Sequence, residues 1–164
     1  HRDLHSFPTR RSSDLGEATI HGVGPMSPRD GLDFTARLQR ARDAAGGINL
    51  PQGHVPASTW WLVEDGRILG AINFRHELND HLRIHGGHIG YAVRPSHRGQ
   101  GLATEMLRMV LDIARTRGLD RVLLTCDRNN PASAKVMTNN GGVFEKEITI
   151  PDTGEILHHY GITL

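Results

Sequence analysis

The sequence predicts a mixed α/β domain: a mostly antiparallel sheet with one central parallel pair, covered by helices on both faces. Three observations lead there. Residues 88–126 read strand, glycine-rich turn, amphipathic helix, strand, and such a unit sets its two strands parallel. Two further pairs of apolar runs are joined by Asp65-Gly66 and by residues 151–154, connections short enough to force antiparallel hairpins. Finally, 164 residues with 37% hydrophobic and 23% charged side chains suit one domain with one core.

The chain opens on a segment of a different character. Residues 5–15, HSFPTRRSSDL, look like the in-frame translation of a sequencing adapter, so 1–15 are set aside as non-native and disordered, and 16–164 are taken as the domain. On that reading the native start is missing, the first strand is partly or wholly absent, and residues 1–24 are expected to be poorly ordered. Residues 27–45 form a surface helix, opened by Ser27, Pro28 and Asp30 and carrying Phe34, Leu38 and Ala41 at helical spacing. Residues 46–56 hold the glycines and prolines of a loop. From Ser58 the chain alternates like a strand; Trp60 and Trp61 face opposite sides, one for the core and one for a pocket. Residues 75–87 are a polar, His-rich connection before the strand 88–93. In the helix 101–117, Leu102, Met106, Met109, Val110 and Ile113 make a core-facing stripe. The strand 121–126, a helix 130–140 and a terminal hairpin complete the order.

Bulk properties exclude several roles. The formal net charge is +1 and the arginines are scattered, so no nucleic-acid partner is implied. No apolar run approaches a membrane span. The single cysteine, Cys126, leaves no internal disulfide and suits a reducing, cytoplasmic setting; it reads as a small buried strand residue.

Residues 93–104, VRPSHRGQGLAT, carry the chemistry. Gly99 and Gly101 remove side chains where backbone must approach a ligand, the first amides of the next helix point outward, and Arg98 adds a forked cation. A phosphate cradle and a purely steric glycine turn both fit. A dinucleotide fingerprint would want glycine at Thr104, and a phosphate-binding P-loop would want Lys followed by Ser or Thr.

The segment resembles the GNAT superfamily of acetyl-CoA-dependent N-acyltransferases. Arg98, Gly101 and Ala103 match the family motif of Arg or Gln, two residues, Gly, one residue, Gly or Ala; the helix, the strand 121–126 and the Asn130-x-x-Ser133 turn follow in the family's order. The likeness runs from about Trp60 to the C terminus. It implies the GNAT fold, with its parallel pair splayed where the pantetheine arm inserts. It also implies acetyl-CoA as cosubstrate and an amine acceptor, either a small molecule or a peptide. The pyrophosphate is then expected on Arg98, Gly99, Gln100, Gly101, Leu102, Ala103 and Thr104 and the pantetheine arm on the strand backbone near Val93, with Asn130 also binding the cofactor. An amide near Val93 is expected to stabilise the developing oxyanion.

Proton transfers set the remaining requirements. Many relatives carry Glu in an EIGY-like strand; here HIGY puts His88 there, either a base with pKa near about 6.5 or a buried His bonded to a carbonyl. Glu77 is the second candidate, or else a solvated strand-end charge. Many relatives place a Tyr acid seven residues after the motif Asn, where this chain has Met137. The resemblance is therefore closest to the subset lacking that Tyr, in which Ser133 contacts the thiolate. Asn130 also reads as a helix N-cap. His76, His81, His85 and His88 match no metal motif, so no metal is expected; a polar acceptor pocket with Asn73, Arg75 and Glu77 fits better. A noncatalytic acyl-CoA sensor remains the alternative class and a nucleotide-binding domain a third. The terminal hairpin is a place for a homodimer contact.

Overall fold

The computed structural model describes residues 3–5 and 33–164. Two sheets share one core. The first has the order β1 (Asp3–His5), β2 (Ala57–Glu64), β3 (Arg67–Arg75), β4 (Ile89–Val93), all antiparallel neighbours. The second runs β5 (Arg121–Asp127), β7 (Ile156–Thr163), β6 (Val143–Thr149), again antiparallel. The expectation of disorder over 1–24 falls on residues outside the described ones, apart from Asp3–His5, which pair with Val63, Leu62 and Trp61.

Asp65 and Gly66 join β2 to β3 with φ of 49° and 72°, the left-handed pair that a two-residue hairpin turn requires. Helix α1 (Phe34–Gly46) begins later than its composition suggests, because Asp33 is extended and its carboxylate accepts the Ala36 N–H at 2.8 Å. Its Ala41 and Leu38 pack on Trp61, Val63, Ile68 and Ala71, one face of the first sheet. Trp60 lies on the opposite face with the main core, as strand alternation demands.

Helix α3 (Leu102–Thr116) buries Leu102, Met106, Leu107, Val110, Leu111 and Ala114. That stripe is turned from the expected one: Met109 and Ile113 are half-buried, while Leu107 and Leu111 are inside. The reason is that the helix serves both sheets, joining Ile72 and Phe74 to Val122, Leu124 and Ile162 in one cluster. Helix α4 (Pro131–Asn139) packs beside it, and Asn140 Nδ2 donates to Thr104 O at 3.1 Å. The polar connection before β4 holds an unexpected short helix, α2 (Asp80–Ile84), capped by Asn79 Oδ1 on the Leu82 N–H.

The central pair, β4 and β5, is splayed so far that no ladder joins it. One bridge remains, between Gly87 and Leu124 and antiparallel in type, with the His88 N–H donating to Leu123 O at 2.7 Å. Gly87 makes the crossing feasible: its φ is 59°, and a Cβ there would stand 2.2 Å from Leu123 O.

Candidate active site

The splay leaves an open backbone edge. Just outside the two ends of β4, the Arg94 N–H bonds Leu69 O and His88 O accepts from the Arg75 N–H, so within the strand the backbone groups of Gly90 and Ala92 face β3. By antiparallel alternation the N–H and C=O groups of Ile89, Tyr91 and Val93 face the gap towards β5. A cavity of about 660 Å³ opens there, between the end of β4, the start of α3 and one side of α4.

Its floor is the glycine turn. Gly99 and Gly101 have φ of 76° and 79°, and a Cβ on either would meet nothing within 4 Å. Their role is therefore the left-handed backbone and the open space above it, not close protein packing. No side chain caps α3, so the amides of Leu102, Ala103 and Thr104 are left for a ligand at the positive helix end. Arg98 is drawn into the corner by Nε donating to Val93 O at 3.2 Å. Val93, Arg98, Gly99, Gly101, Leu102, Ala103, Thr104, Asn130 and Ser133 all line the cavity; Gln100 is exposed in the same turn and does not.

The far wall comes from α4. Asn130 Oδ1 accepts the Ser133 N–H at 3.0 Å, with Pro131 in the first turn, which sets the helix start and with it Ser133. Ser133 Oγ lies 2.9 Å from the Tyr91 hydroxyl, which also donates to Ser133 O at 3.2 Å. Burial pushes the Tyr91 phenol up to about 12, so it stays protonated at neutral pH. The resemblance gave Tyr91 no role; its place in HIGY was the available signal.

Residues 18–143 match the family described as Acetyltransferase (GNAT) domain. The chain belongs to the GNAT acetyltransferase family. No curated protein sequence matches it. Among solved structures, the Salmonella typhimurium protein yncA, with its cofactor acetyl-CoA, is 22% identical with a TM-score of 0.61, covering 81% of this chain and 75% of that one. RimJ of Mycobacterium smegmatis, in complex with CoA-disulfide, is 23% identical with a TM-score of 0.61, covering 83% and 68%. The ribosomal-protein-S5-alanine acetyltransferase of Vibrio fischeri is 20% identical with a TM-score of 0.59, covering 79% and 69%. These likenesses show the shared fold.

In this acetyltransferase the candidate bases do not join the cleft. His88 Nδ1 accepts the Leu123 N–H at 2.9 Å, so the neutral ring carries its proton on Nε2. Burial pushes its pKa down to about 4, and Arg83, Arg75 and Arg121 act in the same direction. That geometry ties β4 to β5. It also replaces the expected carbonyl partner with a backbone N–H, which sequence alone does not distinguish. Glu77 is exposed beyond the end of β3 and outside the cleft lining. Met137 is 1% exposed and fills the core, so its position supplies no proton. Cys126 is buried as a free thiol, and burial raises its pKa.

The histidines also separate. His81 stacks on His85, with ring centroids 5.1 Å apart, and His76 Nε2 lies 2.9 Å from Ser58 Oγ. Among the described residues no group of three or more His, Cys, Asp or Glu is placed to hold a metal ion. No described helix is long and apolar enough to cross a membrane. A second cavity of about 380 Å³ lies at the other end of β3, lined by α1, the loop after it, Asn73, Arg75 and His81.

Proposed function

We propose that the chain transfers an acetyl group from acetyl-CoA to a primary amine by direct attack, without a covalent enzyme intermediate. The observation that carries this reading is the unpaired outer edge of β4, standing between two splayed sheets and leading to the uncapped start of α3. An extended amide-bearing arm fits a free strand edge, and a pyrophosphate fits helix-end amides beside Arg98. The acetylated cosubstrate supplies the acyl group; the chain's residues bind it, orient it and hold the protons. Leu102, Ala103 and Thr104 offer N–H donors to phosphate, and Val93 and Tyr91 offer backbone groups to the arm.

Tyr91 and Ser133 form the proton-holding pair at the cleft wall, in place of the Tyr missing at Met137. His88 acts as a positioning residue that keeps the splay in shape. The amine's proton then leaves through water, with no side-chain base assigned. Acceptors are peptide or small-molecule amines, the classes named for structural neighbours such as the Vibrio fischeri enzyme and a spermidine N-acetyltransferase chimera. The buried free thiol of Cys126 supports a reducing, cytoplasmic setting.

CoA release against a panel of amines tests the reading, together with thermal shift by CoA, ADP and NAD. Turnover on at least one amine, with CoA protecting best, is expected. Tyr91→Phe is expected to lower kcat about tenfold with the KM for acetyl-CoA unchanged, a modest loss because a thiolate of pKa near about 8.5 leaves readily. Met137 in the core supports a second reading, a noncatalytic acyl-CoA sensor. Tight CoA binding with no turnover on any amine establishes the sensor and excludes the transferase.

A further inference from the structure

The second cavity has an unusual lining for an enzyme whose acceptor is an amine. Alkylammonium groups with pKa near about 10 are cations at neutral pH, and a site built for a polyamine gains from carboxylates. Among the described residues the lining includes Arg75, His54, His81, Asn49 and Asn73, and no Asp or Glu.

Arg75 is the side chain in this lining that favours an anion. It closes β3, and its Nη1 donates to Gly86 O at 3.2 Å and Gly87 O at 2.9 Å. Among the described residues it forms no ion pair, and its Nε and Nη2 make no hydrogen bond. Burial alone lowers its pKa, the signature of a charge taken from water without a counter-ion. A carboxylate brought by a ligand removes that penalty and meets the free edge of the fork. Asn73, one pair away on the same face of β3, is 1% exposed; its Nδ2 donates to Thr59 Oγ1 at 2.9 Å and Ser58 O at 3.4 Å, leaving Oδ1 as an acceptor. Such an oxygen suits an ammonium group.

We propose that this cavity binds the acceptor, and that the acceptor is a primary amine carrying a carboxylate, held by Arg75 with Asn73 Oδ1 available to the ammonium. The assignment rests on the acetyl-transfer reading above. At about 380 Å³ the cavity is at the small end of ligand sites, enough for an amino acid or one acidic N-terminal residue.

Acceptors tested in pairs distinguish these sources: L-amino acids against their carboxamides, and a short C-terminally amidated peptide beginning with Asp against one beginning with Asn. Spermidine serves as the uncarboxylated control. In one pair or both, the carboxylate member is expected to have kcat/KM higher by about tenfold or more. The responding pair identifies the carboxylate's source. Arg75→Met should lower kcat/KM for the carboxylate member by about tenfold more than for the uncharged member, and Arg75→Lys should restore part of that difference. Measurable turnover at equal rates within both pairs, or spermidine as the best acceptor, overturns the proposal.

A binding readout keeps the two readings separable. The N-acetylated form of the responding acid, or of each acid in turn if none reacts, should raise the melting temperature of the wild type and not of Arg75→Met. If CoA binds and no amine reacts, the transfer reading fails while this shift still decides the cavity. Absence of any shift in the wild type overturns the carboxylate site.

Discussion

His88 shows how one side chain changes meaning between sequence and structure. In HIGY it stands where many relatives carry a base, yet its Nδ1 is occupied by the Leu123 N–H and burial depresses its pKa to about 4. The consequence appears in stability as a function of pH. Above about pH 6.5 folded and unfolded rings are both neutral, and His88 contributes no slope. As pH falls from about 6.5 towards 4, the unfolded ring takes up a proton that the folded ring refuses, so stability is lost across that window. His88→Asn keeps an acceptor for Leu123 and does not titrate. Melting temperatures across this range should fall less steeply in the variant than in the wild type; parallel curves would show that His88 is not held neutral. His76 and His159, whose pKa values burial also lowers, add to the slope in the same direction.

At the scale of elements, two glycines at opposite ends of β4 do different work. Gly87 lets β4 cross β5 with a Cβ-free approach to Leu123 O, whereas Gly101 starts α3 with empty space around it. Gly87→Ala is therefore expected to cost about 3 kcal/mol in denaturant unfolding, through both clash and positive φ. Gly101→Ala should cost only about 1–2 kcal/mol of backbone strain while weakening CoA binding measurably by calorimetry. A larger stability loss at Gly101 than at Gly87 would contradict this division. Both glycines are visible in the sequence, but their environments are not. The same holds for α2: Asn79 before Asp80 is an N-cap signature hidden by the polarity of its surroundings.

At the scale of the molecule, the two sheets meet through the α3 core and leave β6 as an outer edge. Val143 is 66% exposed and Phe144 49% exposed on that strand. They form a small apolar patch ahead of the charged Glu145, Lys146 and Glu147, and we propose that a second copy of the chain covers it. Light scattering is expected to give twice 18.1 kDa, and Phe144→Lys to return the monomer. A monomeric wild type at high micromolar concentration would end that expectation.

The sequence by itself determined the order of the main strands and helices from β2 onward, both hairpins, the glycine-rich turn and the family, because each depends on neighbours within a few residues: turn glycines, capping side chains and apolar periodicity. The insertion of β7 between β5 and β6, the rotation of the α3 stripe and the replacement of a β4–β5 ladder by one bridge at Gly87 were decided only by the tertiary structure. So were the partners of the site residues. Tyr91 meets Ser133 across 42 positions, His88 meets Leu123 across 35, and Arg75 faces a cavity built from α1 and a distant loop. Hydrogen bonds and burial depend on what the fold brings within a few ångströms, and periodicity along one chain segment carries no information about that.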